Sequence, residues 1–198
     1  MICVAARPAW KEVPTRHTNV DAIAVRLHQL ARKDDLIVVP RWVCAISLYR
    51  YYHGPTEVLT LPPISEHRFH RYDLVLRQMM TPNPLSPVLL RMGNVLRSGH
   101  RIFLVGALPF PKSEVDPPTL PPAFQDAGGH WHGGFRAAWQ ILDDYRIAWE
   151  FQAGHFLRSK TTRAVRISIP LADDASVQEY EDLDLSVIQG WNQTPSIP

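Results

Sequence analysis

With 198 residues, 45% of them hydrophobic and 20% charged, the chain suits one globular domain whose core needs no metal or disulfide staples. No apolar run approaches the ~18 residues of a membrane span, and the first ten residues lack the charged start and cleavage site of a signal peptide, so by default the chain reads as cytoplasmic. The net charge of +2 hides an asymmetry: six acids and no Lys or Arg follow Leu171, leaving 21 basic against 13 acidic groups in residues 1–170.

Ile2–Ala6 is short, apolar and β-competent, and Pro8 ends it. Val20, Ile23, Ala24, Leu27, Leu30 and Ala31 recur at three- and four-residue steps, which predicts a helix over about Asn19–Arg32. Thr18 or Asn19 can cap it, and Asp21 suits the positive end of its dipole. Leu36–Val39 is an unbroken apolar run closed by Pro40, the pattern of a strand buried on both faces. A second helix is expected over Trp42–Tyr52, stopped by His53-Gly54-Pro55. Glu57–Leu61 follows as a strand, ended by Pro62-Pro63.

The second half of His67–Met80 reads as helix. Ser86-Pro87 marks the start of another, with proline at the first helical position, and Gly99 ends it. Arg101–Val105 is the fourth strand. Pro109–Pro122 holds six of the 18 prolines and no periodicity, which predicts a loop or flap. A long helix over about Phe135–Arg158 and a strand over Ala164–Ile169 complete the pattern. From Leu171 the acidic chain reads as a largely extended tail, in which only Leu183, Leu185, Val187 and Ile188 could pack. Alternating strands and helices predict one α/β domain over 1–170, a Rossmann-like three-layer sandwich with a mostly parallel sheet, followed by the tail 171–198.

Ligands of open parallel sheets bind beyond the carboxyl ends of the strands. Arg41 lies at such an end and suits an anion. The EHRFHRYD stretch adds His70, Arg71 and Asp73, and Tyr51, Tyr52 and His53 extend the polar-aromatic character. These seven residues are the binding candidates; the alternative is a loop whose aromatics close over the sheet edge and whose Asp73 caps the next helix. Imidazole, phenol and carboxylate side by side also suit acid–base catalysis. His130 and His132 have HxH spacing and would need a third metal ligand such as His100, His155 or Asp126. No glycine-rich phosphate cradle, nucleophile elbow or CxxC occurs, so no cofactor and no catalytic residue is assigned. Cys3 and Cys44 sit in apolar contexts and read as small buried hydrophobes, their pairing left open. Asp143-Asp144 reads as a solvated helix face. The arginines are scattered, so nucleic acid is not an expected partner.

The blocks TNVDAIAVRLHQLARKDDLIVV (18–39), SLYRYYHGPTEVLTLPPI (47–64), HRYDL (70–74), LRSGHRIFLVG (96–106) and LPPAF (120–124) resemble the soluble C-terminal portion of bacterial membrane glycosyltransferase-like proteins of the protein-mannosyltransferase type. The resemblance implies an extracytoplasmic accessory domain beside a membrane-embedded partner, in contact with glycan or a lipid-phosphate-sugar. The catalytic acids of that family lie in its membrane part, so none is carried over here. Two alternatives stand beside it: a free-standing enzyme with a His/Asp site, metal-assisted or not, and a protein-interaction module.

Overall fold

The computed structural model describes residues 18–111, 115, 118, 135–169 and 183–192. The elements in chain order are α1 (Val20–Leu30), β1 (Leu36–Val39), α2 (Trp42–Tyr51), β2 (Glu57–Thr60), α3 (Tyr72–Met80), α4 (Ser86–Arg97), β3 (Ile102–Val105), α5 (Phe135–Lys160), β4 (Thr161–Ile167) and β5 (Leu185–Trp191). The expected first strand, Cys3, most of the proline-rich loop, the HxH pair and the acids from 173 to 182 lie outside the described residues.

The strands form one sheet in the order β2-β1-β3-β5-β4. β2, β1 and β3 run parallel, in the register Leu36↔Glu57 and Leu36↔Ile102. β5 is antiparallel to both β3 and β4. The fold is therefore α/β with a mixed sheet, parallel in one half and antiparallel in the other.

The apolar run Leu36–Val39 is fully buried because both of its faces are covered. Leu36 and Val38, with Ile102 and Leu104, join a core with residues of α3, α4 and α5. Ile37 and Val39, with Phe103 and Val105, join a second core with residues of α1 and α2. Each such side chain contributes roughly 1.5–3 kcal/mol of transfer free energy, so β1 and β3 anchor both cores at once.

The largest departure from expectation is at the C-terminal end. Residues 185–191, expected in an extended tail, form β5 between β3 and β4. Leu185 and Val187 face one core and Ile188 the other. Strand alternation buries Leu185 and Ile188 on opposite faces and packs Val187, partly buried, beside Leu185. The expected parallel sheet is present in β2-β1-β3, and the inserted strand adds two antiparallel ladders that make the sheet mixed.

Two side chains fix the edges of this frame. Asp35 accepts the N–H of Arg32 and the N–H of Arg101, both at 2.9 Å, and the Arg101 guanidinium at 2.7 Å. It thereby ties the turn before β1 to the start of β3. Asn19 stands at the N-terminus of α1 as expected, but makes no side-chain cap. Its amide instead exchanges two bonds with Leu183, just before β5. At α4 the helix already includes Ser86, with Leu85 as the residue before it and Pro87 in the first turn.

Candidate functional site at the carboxyl ends of the strands

The chain leaves β1 toward α2, on one face of the sheet, and leaves β3 toward α5, on the other. The carboxyl ends of these adjacent parallel strands are the position at which open α/β sheets bind ligands. Pro40 and Arg41 follow β1 there, and Gly106, Ala107 and Leu108 follow β3. Gly106 has φ +107°, a value glycine adopts at no steric cost, and its N–H donates to the Asp184 carbonyl at 2.7 Å. The turn after β3 is thus pinned to the chain entering β5.

α5 spans 26 residues, about 39 Å at 1.5 Å per residue. It runs directly into β4, so its N-terminal half overshoots the short strands on the carboxyl side. That overshoot meets the aromatic side chains of α2 and α3. The Trp42 ring lies edge-on to Tyr72 at 5.2 Å and to His70 at 6.0 Å, and Tyr72 lies edge-on to Trp139 at 5.5 Å. Edge-to-face packing in this range suits ring quadrupoles and holds the rings in place. Trp42 is buried, whereas Trp139 is 41% exposed, so the array leads from the core to the surface.

Charge accompanies the array. Glu150, 7% exposed, accepts the Arg146 guanidinium through both carboxylate oxygens at 3.0 and 2.9 Å. Arg146 also pairs with Asp143 at 2.6 Å. Burial pushes the Glu150 carboxyl above its ordinary range, and the charges of Arg146 and Arg41 offset only part of that effect. Arg41 therefore stands in the field of a buried carboxylate at the carboxyl end of β1. Asp143 is half-exposed, and Asp144 accepts from Gln140 at 3.1 Å, the solvated helix face expected of that pair.

The seven predicted binding residues divide between two ends of the molecule. Arg41, His70, Arg71 and Asp73 lie at the carboxyl end. Tyr51, Tyr52 and His53 lie at the opposite end, because α2 runs back along the sheet and its ten residues span about 15 Å. Tyr52 is 4% exposed and belongs to the core shared by α1 and α2. Its ring lies 4.7 Å from His28 and its hydroxyl lies against Gly54. His53 turns its backbone N–H to His28 Nε2 at 3.5 Å. These three residues close the far end of α2 and do not face the carboxyl ends of the strands.

Asp73 is taken by Arg71 through two bonds at 2.7 and 2.6 Å. That guanidinium holds its carboxyl at about 2. An acid so strongly ionised is a poor proton carrier near neutrality. His67 is buried, stacked on Tyr49 at 4.4 Å, and burial lowers its pKa. Among the described residues no three His, Cys, Asp or Glu side chains converge as metal ligands, and none of the helices is long and apolar enough to cross a membrane. The arrangement can hold an anion by charge and a ring or sugar face by stacking.

Sequence reasoning missed Trp139, Arg146 and Glu150. Their spacing was the available signal: Trp139, Asp143, Arg146 and Glu150 recur at steps of three and four, which aligns them on one helical stripe. A separate cavity of about 430 Å³ lies at the same end of the sheet, lined by Asn19, Arg166, Ser168, Leu183 and Asp184 among others. The chain matches no protein-family model, no curated protein and no solved structure.

Proposed function

We propose that this chain is a binding domain, without catalysis of its own, that takes a phosphorylated sugar at the carboxyl ends of β1 and β3. The reading treats β2-β1-β3 as the parallel half of a Rossmann-like arrangement, with its ligand at the strand ends. The observation that carries it is the position of Arg41, just past the carboxyl end of β1 and next in the chain to Trp42, whose ring begins the array with Tyr72 and Trp139. A guanidinium recognises phosphate through paired donors, and aromatic rings supply stacking faces for a sugar. The resemblance of residues 15–125 to glycosyltransferase C-terminal regions supports the sugar-phosphate class, and an extracytoplasmic place beside a membrane-embedded partner belongs to the same proposal. The pairing of Asp73 with Arg71 favours binding over a His/Asp enzyme.

The test is titration of the purified chain with a hexose phosphate, the unphosphorylated hexose and a polyprenyl-phosphate sugar, followed by NMR or calorimetry. The phosphorylated ligands should bind, Arg41→Ala should weaken them about tenfold or more, as loss of one charged hydrogen bond would, and Tyr51→Ala should have no effect. Absence of binding, or equal loss in the two variants, would refute the proposal.

A further inference from the structure

The two edges of the sheet differ. β2 is four residues long, and at its start Glu57 accepts a 2.7 Å ion pair from Arg91 of α4. β4 is seven residues long, and Thr162 to Arg166 are all exposed. Val165 is 37% exposed, and among the described residues no helix covers the exposed stretch of this strand. An edge that presents unpaired backbone groups over such a length is a template for a further strand.

The orientation of those groups follows from the neighbouring ladder. The Gly106 N–H donates to the Asp184 carbonyl at 2.7 Å, in the register that pairs Leu104 with Ser186 and Ile102 with Ile188. Backbone groups alternate along an antiparallel ladder, so Ser186 and Ile188 turn theirs toward β3, and Leu185, Val187 and Gln189 turn theirs toward β4. Their partners Ile167, Val165 and Arg163 therefore bond to β5, and Ala164 and Arg166 turn their backbone groups to the open side. The alternation is interrupted at Gly190, whose φ is +80°, beyond which the Asn192 N–H donates to the Lys160 carbonyl at 2.8 Å.

Charge selects the occupant. Lys160, Arg163 and Arg166 lie on or next to β4, and Arg158 precedes them on α5. Among the described residues the only acid paired with any of these four is Asp184, held by Arg166. Arg158 donates to the Phe110 carbonyl, and Lys160 and Arg163 carry no ion pair among the described residues. We propose that the β4 edge docks an extended acidic peptide segment of a partner protein, which adds a sixth strand beside β4. Backbone bonds to Ala164 and Arg166 supply the affinity, and the basic side chains select carboxylates on the incoming strand.

The test uses the full chain and a capped Glu-Val-Glu-Thr-Glu-Val-Glu peptide, with a Lys-for-Glu peptide as comparison. Amide shifts in NMR spectra should map the acidic peptide to residues 161–167. Ala164→Pro removes an outward N–H while leaving the bonds to β5, a placement that edge strands tolerate. It should cost about tenfold in affinity at unchanged thermal stability. Arg163→Glu should weaken the acidic peptide and strengthen the basic one. Three results would overturn the proposal: no binding by the unaltered chain, binding that Ala164→Pro leaves intact, or a doubling of mass that Ala164→Pro abolishes without any peptide binding. The last would assign the edge to a second copy of this chain.

Discussion

Asn19 and Leu183, 164 residues apart in the chain, exchange two hydrogen bonds of 2.9 Å each. The Leu183 N–H donates to Asn19 Oδ1 and Asn19 Nδ2 donates to the Leu183 carbonyl. A side-chain amide here does what a neighbouring strand would do for a backbone unit. Both residues are buried, so water cannot replace either bond. Asn19→Ala should cost about 2–3 kcal/mol, two bonds at roughly 1 kcal/mol each plus the unpaired groups left behind. Asn19→Asp is the sharper test. Asp and Asn serve equally well at helix N-termini, yet a carboxylate cannot donate to the Leu183 carbonyl. Urea unfolding should therefore rank Asn above Asp; equal stability would mean that capping, and not this exchange, is the role of residue 19.

Gly93 and Gly154 both lie inside helices, in α4 and α5, where propensity alone favours Ala by up to about 1 kcal/mol. Their surroundings predict opposite outcomes. A Cβ on Gly93 would meet Phe156 at 3.4 Å, ordinary contact, whereas one on Gly154 would sit 1.6 Å from the Pro109 carbonyl oxygen. The strip 109–111 crosses α5 at that glycine and is held by the bond from Arg158 to Phe110. Gly154→Ala should displace the strip and cost about 1–3 kcal/mol, as overpacking does, while Gly93→Ala should be neutral or stabilising. Thermal melts of the two variants decide the matter, and the same sign in both would contradict this account of the crossing.

Asp35 makes stability depend on acid. Burial would raise its pKa, but the Arg101 guanidinium and the N–H groups of Arg32 and Arg101 outweigh burial and lower it. A carboxyl lowered on folding stabilises the fold above its unfolded pKa of ~3.9, and that contribution is lost as pH falls through the lower folded value. Asp35→Asn should reduce stability near neutral pH by about 2–3 kcal/mol, since it weakens charged hydrogen bonds at a side chain only 3% exposed. It should also flatten the acid limb of a stability–pH curve below ~3.9. An unchanged limb would place the acid sensitivity elsewhere.

The interior of the fold was legible because its signals are local. Leu36–Val39 has no polar residue to expose, so it reads as a doubly covered strand, and it lies beside Ile102–Val105 as the pattern requires. β5 was illegible for the opposite reason. Leu185, Val187 and Ile188 are few and follow a run of acids, and their partners Ile102–Val105 lie some eighty residues away. The site was half legible. Arg41 follows from its place after β1, but grouping Tyr51–His53 with it ignored that a helix carries its two ends apart. Trp139 and Glu150 owe their place to the overshoot of α5, which only tertiary packing reveals.

Glu150 should respond to pH in the sense opposite to Asp35. Burial, the largest influence, raises its pKa above that of an exposed glutamate despite Arg146 and Arg41. A carboxyl raised on folding favours the fold below its unfolded pKa of ~4.3, and this contribution is lost as pH rises through the folded value. Glu150→Gln keeps the shape and one acceptor oxygen but cannot ionise. It should therefore remove the loss of stability on the rising side of that window, while leaving Arg146 still paired with Asp143. Because the charge of Arg41 reaches Glu150, the same substitution also leaves Arg41 in a more positive surrounding. Affinity for a hexose phosphate should then rise in Glu150→Gln and fall in Arg41→Ala. Parallel changes in the two variants would show that Glu150 supports only the packing of α5.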